Sequence, residues 1–189
     1  SDHPVQVVNS SSQPLSGVID VACGEGHACA RTEGGDVWCW GKGASGQLGN
    51  ANTQNQAQAV QANGLGTSIG TIIHLGLGEH HSCATNDEGT VYCWGSNSRG
   101  QLGEDLETQR LWAVPVDGIT APAGLDAGDE HTCAWSDAGA VWCWGSNAGG
   151  ELGLGMTPGA TPVPREVVGL SGATAISVES LRAAPINGS

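Results

Sequence analysis

The chain has 189 residues, enough for one ordinary domain, and its 19 Asp and Glu against 6 Lys and Arg give a formal net charge of −13. Phosphate backbones and anionic membranes both call for clustered cations, so nucleic-acid binding and adhesion to anionic lipid are excluded as leading functions. No run of about 18 apolar residues is present to cross a bilayer, and with no initiator Met and no signal-peptide pattern the chain reads as a processed mature protein or a piece of a longer one.

In chain order, residues 1–14 open with PVQVV at 4–8, which reads as the last strand of a preceding unit. A first repeat at 15–62 follows. It has an apolar strand VIDVACG ending at Gly24, the run HACARTEGGDVWCWGKGASGQLG from His27, and an extended piece AQAVQ at 57–61. The second, at 69–117, has IIHLGLG ending at Gly78, HSCATNDEGTVYCWGSNSRGQLG from His81, and AVPV at 113–116. The third, at 119–168, has GLDAG ending at Gly128, HTCAWSDAGAVWCWGSNAGGELG from His131, and PREVV at 164–168. LSGATAISV, within 170–179, aligns Leu170 with Leu15, Ile176 with Val21 and Val178 with Cys23, as the first strand of a following unit. The pattern breaks at Glu179, and 180–189 reads as an irregular tail. A period of about 50 residues with a Trp-Gly signature marks a radial or stacked repeat. Each unit offers four strands, so the expected fold is all-β, a partial β-propeller of about three four-stranded blades.

Inside each repeat two Cys flank a turn: Cys29 and Cys39 around Gly34, Cys83 and Cys93 around Glu88, Cys133 and Cys143 around Ala138. A strand, a Gly-containing turn and a strand form a hairpin. The midpoint of each pair lies in the turn, so the two Cys face one another and three within-hairpin disulfides are expected. Zinc is the competing reading, because His-x-Cys recurs three times; the long Cys spacing makes it the weaker one. Three identical pairs in a small Gly-rich chain favour disulfides and an oxidising compartment. Cys23 is left over and aligns with Leu77 and Ala127, which predicts a buried free thiol. The VWCW stretches do not alternate apolar and polar, as expected when stacked blades bury both faces of their middle strands. Trp38 and Trp40, Tyr92 and Trp94, and Trp142 and Trp144 are assigned to core between blades, facing small residues such as Ala28, Ser82 and Thr132.

The pattern Gly-x-x-His-x-x-Ala, followed by Gly-x-Val-Tyr/Trp-x-Trp-Gly-x-Asn-x-x-Gly-Gln-Leu-Gly, resembles the regulator of chromosome condensation repeat. It fits at Gly24 through Gly49, Gly78 through Gly103 and Gly128 through Gly153, with departures at Asp36, Gly43, Ala140 and Glu151. The resemblance implies a seven-bladed parent ring, of which this chain is an open arc, an excised fragment or a subunit that closes by association. It implies that His27, His81 and His131 each order their own blade. The paired Cys resemble those of bacterial secreted or surface members, implying an extracellular, cell-surface or periplasmic location.

Strand order places the turn before each His and the loop after each Trp-Gly on one rim, which carries Glu25, Glu79, Asp129 and Glu130 with Arg99, Glu104, Asp105 and Arg110. Trp112, outside the repeat pattern, is either an interface anchor or outer-strand packing. The expected function is a non-catalytic protein-binding scaffold, its protein partner presenting a basic surface, with self-association through incomplete ring ends. The resemblance also allows guanine-nucleotide exchange on a small GTPase, or enzyme inhibition by a propeller. Ser82 beside His81 becomes Thr132 and Ala28 in the other copies and is read as repeat drift, not a nucleophile. No catalytic residue, cofactor or metal is assigned.

Overall fold

Glycine sets where each hairpin reverses. Gly35, Gly89 and Gly139 stand at φ of +86°, +76° and +85°, a left-handed backbone that residues with a Cβ rarely adopt. The computed structural model describes residues 3, 5–105, 108–155, 159–170 and 172–178. Three antiparallel sheets follow one another, each with its four strands paired in chain order. The first blade comprises β1 (Val18–Cys23), β2 (His27–Thr32), β3 (Val37–Gly41) and β4 (Gln56–Gln61). The second comprises β5 (Ile72–Leu77), β6 (His81–Asn86), β7 (Val91–Ser96) and β8 (Gln109–Val116). The third comprises β9 (Pro122–Ala127), β10 (His131–Ser136), β11 (Val141–Asn147) and β12 (Gly159–Glu166).

Register brings the Cys together. Cys29 lies opposite Cys39, Cys83 opposite Cys93 and Cys133 opposite Cys143, and all three pairs are disulfide-bonded, with Cα atoms 4.1, 4.1 and 4.2 Å apart. Such a closed loop stabilises by about 2–3 kcal/mol in the chain-entropy model.

The apolar core lies between blades. Trp94 packs with Cys29, Leu48 and Leu77 at the first junction, and Trp144 packs with Cys83, Leu102 and Leu125 at the second. Both indoles are fully buried. Their counterpart Trp40 is half-buried, because it lies on the face of the first blade that no described blade covers. The same face corrects the expectation for Cys23. It is a free thiol, but exposed; Leu77 and Ala127, its counterparts, are buried by the blade ahead of them. Val21 on that face is 51% exposed.

The outer strands run longer than the sequence suggests. β8 begins at Gln109 and β12 at Gly159, and β12 stops at Glu166, before Val167 and Val168. Pro115, Pro162 and Pro164 sit in these edge strands, where a missing N–H costs no ladder bond. The N-terminal segment runs along the outer edge of the first blade: Asn9 bridges Ala59, and the Ala59 N–H donates to the Val8 carbonyl at 2.8 Å. At the other end, Ala173, Ile176 and Val178 pack on the third blade, and the Val178 N–H donates to Asp126 Oδ2 at 2.8 Å. This segment pairs with no strand among the described residues. The tail at 180–189 lies outside the described residues.

The departures at Gly43 and Glu151 are absorbed locally. Asn97 Oδ1 and Asn147 Oδ1 each accept a loop N–H, from Leu102 and Leu152. A Cβ at Gly43 would stand 2.2 Å from the Gln54 carbonyl, and Asn55 Oδ1 accepts the Gly43 N–H instead. Glu151 Oε2 accepts the Gly149 N–H at 2.9 Å, as Gln101 Oε1 accepts that of Arg99 at 2.8 Å.

Candidate functional site

The inner turns 24–26, 78–80 and 128–130 crowd together on one rim. A Cβ at Gly24 would lie 2.3 Å from the Gly78 carbonyl, and one at Gly78 2.4 Å from the Gly128 carbonyl, so only glycine permits this approach. The Glu79 N–H donates to the Asp129 carbonyl at 3.1 Å. Cys23, Leu77, Ala127 and Val178 line a cavity of about 340 Å³ with these turns. The loops after β3, β7 and β11 rise on the same rim.

The structure brings Glu25 and Glu79 together and pairs Arg99 with Glu130 and Arg110 with Glu104. Glu25, Glu79 and His80 place one ligand atom each within 4.8 Å of the others. His80 was missed by the sequence reading, although the pair His80-His81 stands where the other copies have Gly26-His27 and Glu130-His131. Its Nδ1 lies 2.8 Å from the Glu79 carbonyl, an acceptor, so the ring proton sits on Nδ1. Its Nε2 lies 3.3 Å from Glu79 Oε1. Among the described residues this is the donor set close enough to share an ion; the His-x-Cys sets are not, because their Cys are in disulfides. Cations on the rim are already engaged: Lys42 Nζ is 3.5 Å from Glu25 Oε2, and Arg99 Nε is 3.5 Å from Glu130 Oε2. Arg110 forks onto Glu104, with Nη2 to Oε2 at 2.7 Å. Glu25, Glu79, Glu104, Asp105, Asp129 and Glu130 outnumber Lys42, Arg99 and Arg110, and the rim is acidic on balance.

Two residues of the expected rim set lie on a strand and not in a loop. Arg110 and Trp112 lie on β8, because pairing with β7 starts at Gln109. Arg110 is half-buried and locked to Glu104, while Trp112 stands 47% exposed on the outer strand.

Below the rim His27 and His81, two of the three in-register His, behave differently from the expectation. His27 Nε2 lies 2.8 Å from Ser82 Oγ, and His81 Nε2 lies 2.9 Å from Thr132 Oγ1. Each imidazole therefore ties its blade to the next, not to itself. Ser82 Oγ donates to the Gln47 carbonyl at 2.9 Å and Thr132 Oγ1 to the Gln101 carbonyl at 3.1 Å. Each carbonyl also accepts an indole N–H, from Trp94 at 2.8 Å and from Trp144 at 2.9 Å. With its own proton committed, the hydroxyl accepts from the imidazole, so Nε2 carries the ring proton. A hydrolase dyad needs the reverse, an unprotonated nitrogen facing the hydroxyl. The sequence reading took Ser82 and Thr132 for drift; they are junction residues, and the clue was the His one position before them. Burial pushes the His27 imidazole down to about 4, with His80 adding to the effect, and the His81 imidazole down to about 3. Burial also lowers that of His131.

A profile of the Regulator of chromosome condensation (RCC1) repeat matches residues 34–85, 88–135 and 138–180, and a second profile of the repeat matches 18–47, 72–101 and 123–151. Human E3 ubiquitin-protein ligase HERC2 is 34% identical over 103 residues, covering 54% of this chain and 2% of that protein. Protein pim1 of Schizosaccharomyces pombe is 32% identical over 128 residues, covering 67% of this chain and 23% of its own length. Among solved structures, Prp20p of Saccharomyces cerevisiae superposes with a TM-score of 0.73 at 22% identity, covering 82% of this chain and 40% of that one. Human WBSCR16 superposes with 0.71 at 25% identity, covering 82% and 39%. The chain thus spans less than a quarter of either relative's length and about two fifths of either solved chain. With profile, relatives and sheet geometry in agreement, the chain belongs to the regulator of chromosome condensation repeat family, and its three sheets are blades of that β-propeller.

Proposed function

We propose that this chain is a non-catalytic scaffold that binds a protein partner through the acidic rim and works in an oxidising compartment, outside the cell, at its surface or in the periplasm. The observation that carries the reading is the contrast between levels: β3, β7 and β11 repeat almost residue for residue, while the loops that follow them differ in length and sequence and the rim gathers acids around Glu25, Glu79 and Asp129. Loops held by a rigid repeat are where binding concentrates. Protein binding also fits the company the chain keeps. Prp20p is described with its binding to Gsp1p and histones, and yeast RCC1 with Kap60. The three disulfides favour an oxidising compartment over the cytosol, which weighs against exchange on a cytosolic GTPase. A partner with a cationic surface is steered toward a chain of net charge −13. Cross-linking mass spectrometry of the chain with a captured partner tests the reading. Links should fall on residues 24–26, 42–55, 78–80 and 97–105. Links confined to the opposite turns at 33–36, 87–89 and 137–139 would replace this rim with that one.

A further inference from the structure

The turn before His81 carries a residue that its two counterparts lack. Gly26, His80 and Glu130 stand at the same place in the three repeats. At the first junction Glu25, from the first blade, meets Glu79 and His80, from the second, with one ligand atom of each within 4.8 Å of the others. At the second junction the Glu79 N–H donates to the Asp129 carbonyl, so those turns converge as well. That junction has Glu130 in place of the imidazole, and among the described residues its acids form no such set. Acidic turns that converge do not by themselves assemble the donors; the imidazole distinguishes the first junction from the second.

The His80 ring is spaced for a metal ion rather than for a proton. Its Nδ1 proton is held by the Glu79 carbonyl at 2.8 Å, so in the neutral ring Nε2 presents a lone pair. An N–H to a backbone carbonyl is the usual support of a metal-binding His, fixing both tautomer and ring orientation. The Nε2 lone pair stands 3.3 Å from Glu79 Oε1, so two acceptors face each other. A protonated imidazole draws a carboxylate oxygen to about 2.7–2.9 Å. Two ligands at about 2.0–2.1 Å from a tetrahedral ion stand about 3.3 Å apart. Glu25 supplies the third ligand by turning its carboxylate toward them, and its charge with that of Glu79 balances a divalent cation. All three side chains are partly exposed, which leaves room for water as the fourth ligand. Lys42 Nζ, 3.5 Å from Glu25 Oε2, is the competing cation.

We propose that Glu25, Glu79 and His80 form a binding site for a divalent transition-metal ion of the zinc type, which ties the inner turn of the first blade to that of the second. One imidazole nitrogen and two carboxylate oxygens suit zinc, whereas calcium and magnesium favour all-oxygen sets of about six or more ligands. The ion joins two blades and binds only their folded arrangement, so it adds stability by mass action. The site needs no protein partner, and it stands or falls separately from the scaffold reading.

The test uses the full chain with its disulfides intact, stripped by chelator, and titrates zinc chloride by calorimetry at about pH 7.5, where an ordinary imidazole is neutral. One-to-one saturable binding is expected, weakened about tenfold or more in His80→Ala and in Glu25→Gln. Lys42→Gln, which removes the competing cation, should tighten it. Cys23→Ser should leave it unchanged, although Cys23 lines a cavity with Glu25; loss of binding there would assign the ion to the thiol and overturn the proposal. In the unmodified chain, nuclear magnetic resonance should show zinc shifting the His80 Nε2 signal while Nδ1 stays protonated, a readout that depends on no variant folding. The thermal midpoint should rise with zinc in the parent and not in His80→Ala. Absence of saturable binding, full affinity retained in His80→Ala or Glu25→Gln, weaker binding in Lys42→Gln, calcium or magnesium bound as tightly as zinc, or signal shifts confined to other His would each overturn the proposal.

Discussion

His81 makes no contact with water and carries two obligations, a hydrogen bond to Thr132 and a close fit against Gly78. Replacing it with Ala removes the donor and leaves a hole at the second junction. We expect His81→Ala to cost about 1–3 kcal/mol in urea denaturation, the range for losing a buried hydrogen-bonded group. The pH dependence has a definite sign. The folded imidazoles of His81 and His27 sit at about 3 and about 4, below the ordinary value of 6.5. Below that ordinary value the unfolded chain takes up protons that the folded chain refuses. Stability contributed by these neutral imidazoles is present above about pH 6.5 and is lost as the pH falls toward 4 and then 3. The loss per His is up to about 1.4 kcal/mol per pH unit. Denaturation midpoints taken from pH 7 to pH 4 should therefore fall less steeply for His81→Ala than for the parent; identical slopes would remove His81 from the account. At this scale sequence alone failed in an instructive way. The recurrence of His27, His81 and His131 was plain, but their partners lie one blade away, and no local pattern reports a contact across about 50 residues.

Hairpins, by contrast, were legible almost completely. The Cys spacing and the turn glycines are both local, and together they fixed the register that pairs Cys29 with Cys39 and its two counterparts. Non-reducing peptide mapping should recover those three links and a free Cys23; a link between repeats would break the register argument. Reduction of all three should lower the denaturation midpoint by an amount matching about 2–3 kcal/mol per bridge. The outer strands were harder to place: the extended piece expected from Pro164 in fact begins at Gly159, and only an edge position tolerates Pro162 and Pro164 within it. Cys23 was misjudged for a related reason: its neighbours in the alignment are buried by a preceding blade, and the first blade has none among the described residues. The inner turns offer a sharper test of element packing. Gly78→Ala would place a methyl 2.2 Å from the His81 ring and 2.4 Å from the Gly128 carbonyl. It should destabilise by about 1–3 kcal/mol or more. Gly66→Ala, at φ −136° with nothing within 4 Å, should be neutral or slightly stabilising. Equal effects at the two glycines would show that the turns do not meet as described.

Across the whole molecule two kinds of surface remain after the blades have stacked. The outer face of the first blade leaves open what the internal junctions bury: Val21 and Cys23 are exposed and Trp40 is half-buried. The rim collects acids that the repeat register places on one side, and Glu25 and Glu79 meet because successive turns converge. The strands of the fold could be read from the chain; the neighbourhoods between blades could not. The central claim, that the acidic rim is the binding face, meets its most direct test in association kinetics with a captured partner. Glu79→Lys with Asp129→Lys should slow association about tenfold or more at low salt, and the difference should shrink as ionic strength rises. Thermal denaturation should change little, because neither residue lies in a strand. Glu33→Lys with Glu88→Lys, on the opposite turns, should leave the rate within about twofold. An unchanged rate for the rim variant, or the larger loss from the opposite turns, would contradict the account.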